Sequence, residues 1–450
     1  MKKLIDLLAG DFILSILALS LGFLLRLGSL PENEGMFSLI AKFSIFGLIL
    51  IVSSFFLEMY SPEKNNGKKE IILRVFIGIL VSFFLLSSLY YMIPLINLGR
   101  GLLIISLFSF ALLQFLWHFS YRAIKFSGFI RRVLILGTGP LAQKIGKTII
   151  SKNNGYVLAG YMKLMDEPMC VPSNSILTTN NGWVDIVKEK KTHKIVVSLS
   201  ERRGVLPLQD VLECKLSGVE VIEAPSFYEE MTGKLLIEDT TPSWFIFSDG
   251  FRVTSFKRFC KRSLDILAAS IGLILFLPLI PIIALLIKID SSGPVFFKQL
   301  RVGEREKGFT LYKFRTMFQD AEKRTGPAWA EENDPRITRF GRFLRKIRFD
   351  EIPQLYNVLL GNMSIVGPRP ERPEFVEELK KIIPYYSERH FAKPGITGWA
   401  QIRYRYGASV EDAIEKLRYD LYYIKHLSTF FDIMIIMETI KIVFLGRGAR

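Results

Sequence analysis

The chain has few cysteines, few histidines and too few acids to balance its bases. Three cysteines, Cys170, Cys214 and Cys260, stand far apart without paired spacing, which excludes a disulfide framework or a thiolate zinc site and fits a reducing compartment. Four histidines, His118, His193, His390 and His426, are scattered without motif, so histidine offers no catalytic centre. Asp and Glu number 43 against 59 Lys and Arg, a formal charge of +16 that points to an anionic partner: a membrane surface, phosphorylated substrates or nucleic acid. No nucleic-acid module accompanies the charge, so nucleic acid is not an expected partner. Charged residues make up 23% of the 450 residues and hydrophobic ones 50%, too apolar for a plain soluble enzyme and incompatible with a disordered or fibrous chain. The length leaves room for two or three domains.

Apolar residues concentrate in positions 1–121, where four stretches approach the ~20 residues needed to cross a bilayer. They run Leu7 to Leu25, Met36 to Leu57, Val75 to Ile96 and Gly101 to Tyr121, and the last two lack Asp, Glu, Lys and Arg. Lys2 and Lys3, then Lys64, Lys68, Lys69 and Arg74, then Arg122, Lys125, Arg131 and Arg132 alternate with poorly charged loops around Glu32 and Asn97. Both ends of this four-helix bundle are therefore expected in the cytoplasm. No small-residue cleavage site follows the first run, so a cleaved signal peptide is not expected. Asp11 is the only acid well inside a span, which favours an anchor over a transport path.

From Arg131 the pattern becomes strand, glycine turn, helix: Val133 to Leu136, Gly137-Thr138-Gly139-Pro140-Leu141-Ala142, then a helical run to Ile150. Gly137 and Gly139 are spaced to bring backbone N–H groups and a helix N-terminus against a diphosphate. No acid closes the next strand, Val157 to Met162, where a dinucleotide site needs a ribose acceptor, and Lys163 stands there instead. Strands at 194–198 and 219–222 complete an open, Rossmann-like α/β domain over 122–250. A structural or regulatory role and nucleotide binding both remain open for it.

Ile266 to Ile287 is a further uncharged stretch long enough to span. Pro278 and Pro281 interrupt it, and each removes a backbone donor and favours a bend. Lys257, Arg258, Lys261 and Arg262 precede it and Lys288, Lys298 and Arg301 follow, so both ends prefer the cytoplasm. A helix over about 264–288 that enters, breaks at Pro278 and returns meets both constraints.

Residues 251–450 hold 34 Lys and Arg against 22 Asp and Glu. The excess is densest around Lys313-Phe314-Arg315-Thr316-Met317 and from Arg336 to Arg348, with Arg369 between Pro368 and Pro370. Guanidinium groups bind phosphate oxygens bidentately, and flanking prolines restrict the backbone presenting Arg369, which makes a diphosphate cradle; docking on anionic lipid is the alternative use. Within this stretch, Arg348-Phe349-Asp350-Glu351-Ile352-Pro353 reads as a helix start. Asp350 and Glu351 are either a helix cap and its dipole partner, or neighbouring carboxylates dividing the work of nucleophile, metal ligand and proton acceptor.

Lys313 to Met317 (KFRTM), Gly326 to Ala330 (GPAWA), Asn333 to Thr338 (NDPRIT), Asp350 to Asn357 (DEIPQLYN), Gly361 to Pro370 (GNMSIVGPRP) and Pro394 to Gln401 (PGITGWAQ), taken together, resemble the bacterial sugar transferase family. More narrowly, the chain resembles its large polyprenyl-phosphate hexose-1-phosphate transferases. The resemblance implies a multi-domain membrane protein: a four-helix bundle over 1–121, the Rossmann-like domain over 122–250, and a mainly α, monotopic phosphoglycosyl transferase domain with a re-entrant helix over 251–450. It implies transfer of a sugar 1-phosphate from a UDP-sugar to undecaprenyl phosphate with release of UMP, at the cytoplasmic face of the bacterial inner membrane and in contact with its lipid. Asp350 matches the family's nucleophilic aspartate and Glu351 its partner glutamate, the two also serving a Mg²⁺ or Mn²⁺ ion. Lys313, Arg315, Arg345, Arg369 and Arg405 match basic positions that hold phosphate, and Pro278 matches the membrane kink, here Leu277-Pro278 where the family often has Ser-Pro. The C-terminal stretch Phe430 to Leu445 is expected to help seat the domain at the interface. Two other classes are a membrane-anchored nucleotide-sugar dehydratase or epimerase, which needs a second glycine-rich turn after residue 250, and a non-catalytic scaffold of polysaccharide assembly. The transferred hexose and the oligomeric state, a homo-oligomer included, are not encoded in any motif.

Overall fold

Four long apolar helices lead the chain: α1 (Lys2–Leu27), α2 (Met36–Phe56), α3 (Lys68–Met92) and α4 (Arg100–Gly128). Each is long and apolar enough to cross a membrane, which marks a membrane protein. The computed structural model describes residues 2–29, 35–60, 68–128, 131–152, 155–164, 168–177, 183–199, 206–238, 242–319, 334–404, 407 and 409–444. They divide into two units, Met1–Val133 with Asn153–Leu158, and Leu134–Lys152 with Ala159–Arg450.

In the first unit, Ala18, Leu19, Phe23, Phe46, Leu50, Leu86, Leu107 and Phe110 fill the bundle core, while Phe37, Phe76, Phe84 and Phe108 point outward. Apolar side chains on both faces are what a helix needs when its solvent is hydrocarbon. Small residues let the helices approach: Gly10 lies against Trp117, Gly22 against Ser106 and Gly47 against Ser15. Asp11 is fully enclosed, accepting hydrogen bonds from Tyr60 (2.8 Å) and Gln114 (2.6 Å), with His118 Nε2 3.1 Å from its other oxygen.

The α/β part follows the expected strands. It comprises β1 (Arg131–Leu136), α5 (Pro140–Ser151), β2 (Tyr156–Met162), β3 (Ile176–Leu177), α6 (Trp183–Glu189), β4 (Thr192–Val197), α7 (Leu208–Leu216), β5 (Glu220–Glu223) and α8 (Ala224–Thr232). The sheet order is β3-β2-β1-β4-β5, with β2–β3 and β4–β5 parallel. The turn into α5 places Gly137 at φ 118°, open only to glycine. Segment 168–170 is fastened over this turn: Cys170 N donates to Thr138 O (2.8 Å) and Thr138 Oγ1 to Pro168 O (3.3 Å).

The remaining elements are α9 (Pro242–Phe247), α10 (Ser255–Phe276), α11 (Leu279–Asp290), β6 (Phe296–Val302), β7 (Gly308–Phe314), α12 (Arg339–Lys346), α13 (Gln354–Leu360), β8 (Ser364–Val366), α14 (Pro373–Ile382), β9 (Gly395–Thr397), α15 (Trp399–Arg403), α16 (Val410–Lys425) and α17 (Thr429–Phe444). Helices α10 and α11 bend by 62° at Leu277-Pro278, where proline cannot donate to the preceding turn. Their outer residues Leu267, Ile271, Ile274, Leu275, Leu285 and Ile289 are exposed, whereas Ile283 and Ile287 pack on Phe314, Leu344 and Ile352. Strands β6 and β7 form an antiparallel hairpin, and β8 pairs in parallel with β9.

One local expectation changes. Asp350 does not cap a helix: it lies in a 3-10 turn, Phe349–Glu351, and α13 begins only after Pro353. Helix α17 turns Phe431 and Ile435 into the core and pairs Asp432 with Lys261 at 3.0 Å, while Phe430, Ile433 and Val443 are exposed.

Candidate active site

The carboxylate pair is presented by a sharp change of direction. Thr338 caps α12 by accepting from Gly341 N (3.0 Å), and the chain leaves that helix through Arg348, whose φ of 62° is left-handed, into the 3-10 turn. Behind the turn, α13 ends at Gly361, and Arg262 of α10 donates to Val358 O (2.6 Å) and Leu359 O (2.8 Å). Both carbonyls lie in the last turn of α13, where Val358 O also accepts from Gly361 N (3.0 Å), so the bent pair and the turn are tied together. Asn357 then fixes β7 against α13: its Oδ1 accepts from Tyr312 N (3.0 Å) and its Nδ2 donates to Thr310 O (2.7 Å). The next residue along the strand is Lys313.

Cations from several elements converge on the pair. Glu351 Oε1 accepts from Lys313 Nζ (3.1 Å) and Arg369 Nη2 (2.9 Å), and Arg348 Nη1 lies 3.9 Å from Oε2. Arg345 donates from Nε to Thr316 Oγ1 (2.9 Å) and adds its charge to the field at Asp350. Asp350 is 7% exposed and has no hydrogen bond or ion pair among the described residues. Two neighbouring acids therefore have unlike surroundings, one bound and one open.

Their ionisation follows. Burial raises the Asp350 carboxyl, the Glu351 charge raises it further, and Lys313, Arg345 and Arg369 offset only part of this. Burial opposes the Glu351 carboxylate too, but the charges of Lys313, Arg369 and Arg348, with the Arg369 hydrogen bond, hold it well below the ordinary range. The pair is thus split into a firmly ionised anchor and a more basic neighbour, which is the arrangement expected of a nucleophile beside its support.

Of the residues singled out from sequence, Lys313, Arg345, Arg369, Asp350 and Glu351 come together. Arg315 does not: it is buried beneath α11, donating to Ser291 O (2.7 Å), Ser291 Oγ (3.1 Å) and Ile287 O (3.4 Å), where a cation complements the helix's negative end. Strand alternation would keep Arg315 on the face of Lys313, but β7 ends at Phe314, and beyond it Arg315 turns to that helix end. Arg405, all of Gly326 to Ala330, and Asn333 lie outside the described residues. Arg348 and Asn357 were missed as site residues, although both sit inside or beside the Asp350 to Asn357 motif.

Among the described residues no cluster of three or more His, Cys, Asp or Glu side chains could hold a metal. A Mg²⁺ ion bound by one or two carboxylates and completed by substrate phosphates and water needs no such cluster, and the open Asp350 oxygens fit that requirement.

The family model for bacterial sugar transferase matches residues 256–446. The chain is 41% identical over 237 residues to UDP-N-acetylgalactosamine-undecaprenyl-phosphate N-acetylgalactosaminephosphotransferase of Aeromonas hydrophila, covering 53% of this chain and 55% of that one. It is 43% identical over 196 residues to UDP-glucose:undecaprenyl-phosphate glucose-1-phosphate transferase of Escherichia coli (strain K12), 43% and 42% of the two chains. It is 44% identical over 188 residues to Exopolysaccharide production protein PSS of Rhizobium leguminosarum bv. phaseoli, 40% of this chain and 92% of that protein. The match thus spans about half the length of the Aeromonas and Escherichia proteins. The chain belongs to the bacterial sugar transferase family.

Proposed function

We propose that the protein transfers a sugar 1-phosphate from a UDP-sugar to undecaprenyl phosphate, releasing UMP and forming undecaprenyl-diphosphate-sugar, the initiating step of surface polysaccharide synthesis. The observation that carries this reading is the open Asp350 carboxylate within a ring of Lys313, Arg345, Arg348 and Arg369, its partner Glu351 already engaged. An Asp350 oxygen attacks the sugar-linked phosphorus, forming an O–P bond as the bond to UMP breaks. A phosphate oxygen of undecaprenyl phosphate then attacks the same phosphorus and frees Asp350. The cations neutralise charge that gathers on the phosphoryl oxygens, and Glu351 holds Lys313 and Arg369 in place for it. Asp350 and Glu351 would hold Mg²⁺ or Mn²⁺, which would supply further neutralisation of the diphosphate.

In this reading the bent pair α10–α11 is a re-entrant hairpin, the sheet domain is Rossmann-like, and the transferase part works at the cytoplasmic face of the inner membrane. One substrate is soluble and the other keeps its phosphate at headgroup level, so the site belongs at the interface. Each hairpin arm of about 12 residues reaches roughly 18 Å, about half a hydrocarbon core. The test is UMP release from a panel of UDP-sugars with undecaprenyl phosphate and Mg²⁺, with peptide mass spectrometry for phosphosugar on Asp350 when acceptor is withheld. Wild type releases UMP and Asp350→Asn does not; equal turnover by both would remove Asp350 from the mechanism. Tags after Arg262 and after Lys288 are both reached only from the cytoplasm, and opposite sidedness would refute the hairpin.

A further inference from the structure

Arg369 projects from a segment with few backbone handles. Pro368 and Pro370 supply no N–H, so the chain leaving β8 is gripped by its carbonyls. Four in succession are occupied: Gly395 N donates to Pro368 O (2.9 Å), Arg389 Nη2 to Arg369 O (3.1 Å), Arg301 Nη1 to Pro370 O (3.1 Å) and Val302 N to Glu371 O (3.0 Å). The Arg389 grip differs from the others, because a buried side-chain charge acts on the very residue that touches Glu351.

Arg389 lies on the 3-10 turn Tyr386–Phe391 and is 5% exposed. Its guanidinium also donates to Asp420 Oδ2 on α16 (2.8 Å) and to the Tyr386 hydroxyl (2.6 Å), while its Nε is enclosed without a partner. A buried guanidinium persists only with a counter-charge, and Asp420, itself 2% exposed, supplies it and orients the fork. The contacts run in one line: Asp420 carboxylate, Arg389 guanidinium, Arg369 carbonyl, and from the Arg369 guanidinium to Glu351 Oε1 at 2.9 Å.

We infer that Arg389 and Asp420 are positioning residues that set where the Arg369 guanidinium meets Glu351 and, resting on the function proposed above, the donor diphosphate. Arg389→Lys keeps the charge but loses the two-nitrogen fork, and Asp420→Asn keeps the shape but loses the counter-charge. The first readout needs no turnover: phenylglyoxal labelling of Arg369 in the full-length protein, followed by peptide mass spectrometry with exposed Arg305 as reference. Labelling of Arg369 rises several-fold in both variants; unchanged labelling overturns the inference. The second is kinetic. Each variant lowers kcat/KM for the UDP-sugar about 10-fold, leaves KM for undecaprenyl phosphate unchanged, and has under about 2-fold effect in an Arg369→Ala background. Equal losses in both backgrounds would mean a general structural role and overturn the inference. If wild type releases no UMP from any donor, the functional reading fails and the labelling alone decides this one. Should Arg389→Lys lose its helical circular dichroism, Asp420→Asn carries both measurements.

Discussion

Asp11 in the bundle and Asp350 beside Glu351 are both enclosed carboxylates, 0% and 7% exposed, in opposite surroundings. Asp11 takes hydrogen bonds from Tyr60 and Gln114 and has His118 beside it, while Gln114 also donates to Ser54 at 2.9 Å. In hydrocarbon an unsatisfied acid is very unfavourable, so this network answers its environment and leaves the carboxylate nothing further to do. Asp350 has charges around it but no bond to any of them. Burial is therefore common to the two acids, and what separates them is whether the fold supplies a partner. Asp265 belongs with Asp11, since it accepts from Ser364 Oγ (2.8 Å) and Ile365 N (2.9 Å) and serves to hold β8 on α10.

The sharpest way to break this comparison is to neutralise each acid in turn. Asp350→Asn is expected to lower UMP release by about a thousandfold while leaving the melting temperature near that of wild type. Retention of turnover would place Asp350 with the structural acids. Next in size, Arg369→Ala or Lys313→Ala removes one cation from the ring and lowers kcat/KM for the donor by about 100-fold, measured by the same release. For the structural acid the sign of the outcome reverses. Asp11→Ala strands three polar groups in the bundle and destabilises it by about 1–3 kcal/mol, read as a lower melting temperature in detergent, with turnover per folded chain unchanged. The smallest effect is on pH. In the proposed mechanism Asp350 attacks as the carboxylate, and burial and then the Glu351 charge hold it above its ordinary value, so kcat/KM is expected to fall on acidification at a higher pH than a free aspartate would give. Glu351→Gln removes one of those causes, and the residual activity should show its acid limb displaced to lower pH; a displacement to higher pH contradicts the assigned coupling.

Much of this was legible along the chain because it depends on short-range pattern. The four apolar runs became α1 to α4, and the strand at 194–198 appears as β4 (Thr192–Val197). Pro278 marked the bend because a missing donor acts where it stands. The site was legible only as a set of candidates. Arg315 stands two residues from Lys313 in the same basic motif, yet one caps the end of α11 and the other meets Glu351. Arg389, over 30 residues from Asp350 and outside every quoted motif, holds the backbone of Arg369.

What the sequence determined by itself is where hydrocarbon-compatible helices, a glycine turn, a proline break and a surplus of cations lie, since each follows from neighbours along the chain. The tertiary structure alone decided which acid is left without a partner, which arginine faces a helix end and which faces the carboxylates. Those outcomes rest on contacts between residues distant in sequence, and side chains of one type take opposite roles according to what the fold sets within about 3 Å of them.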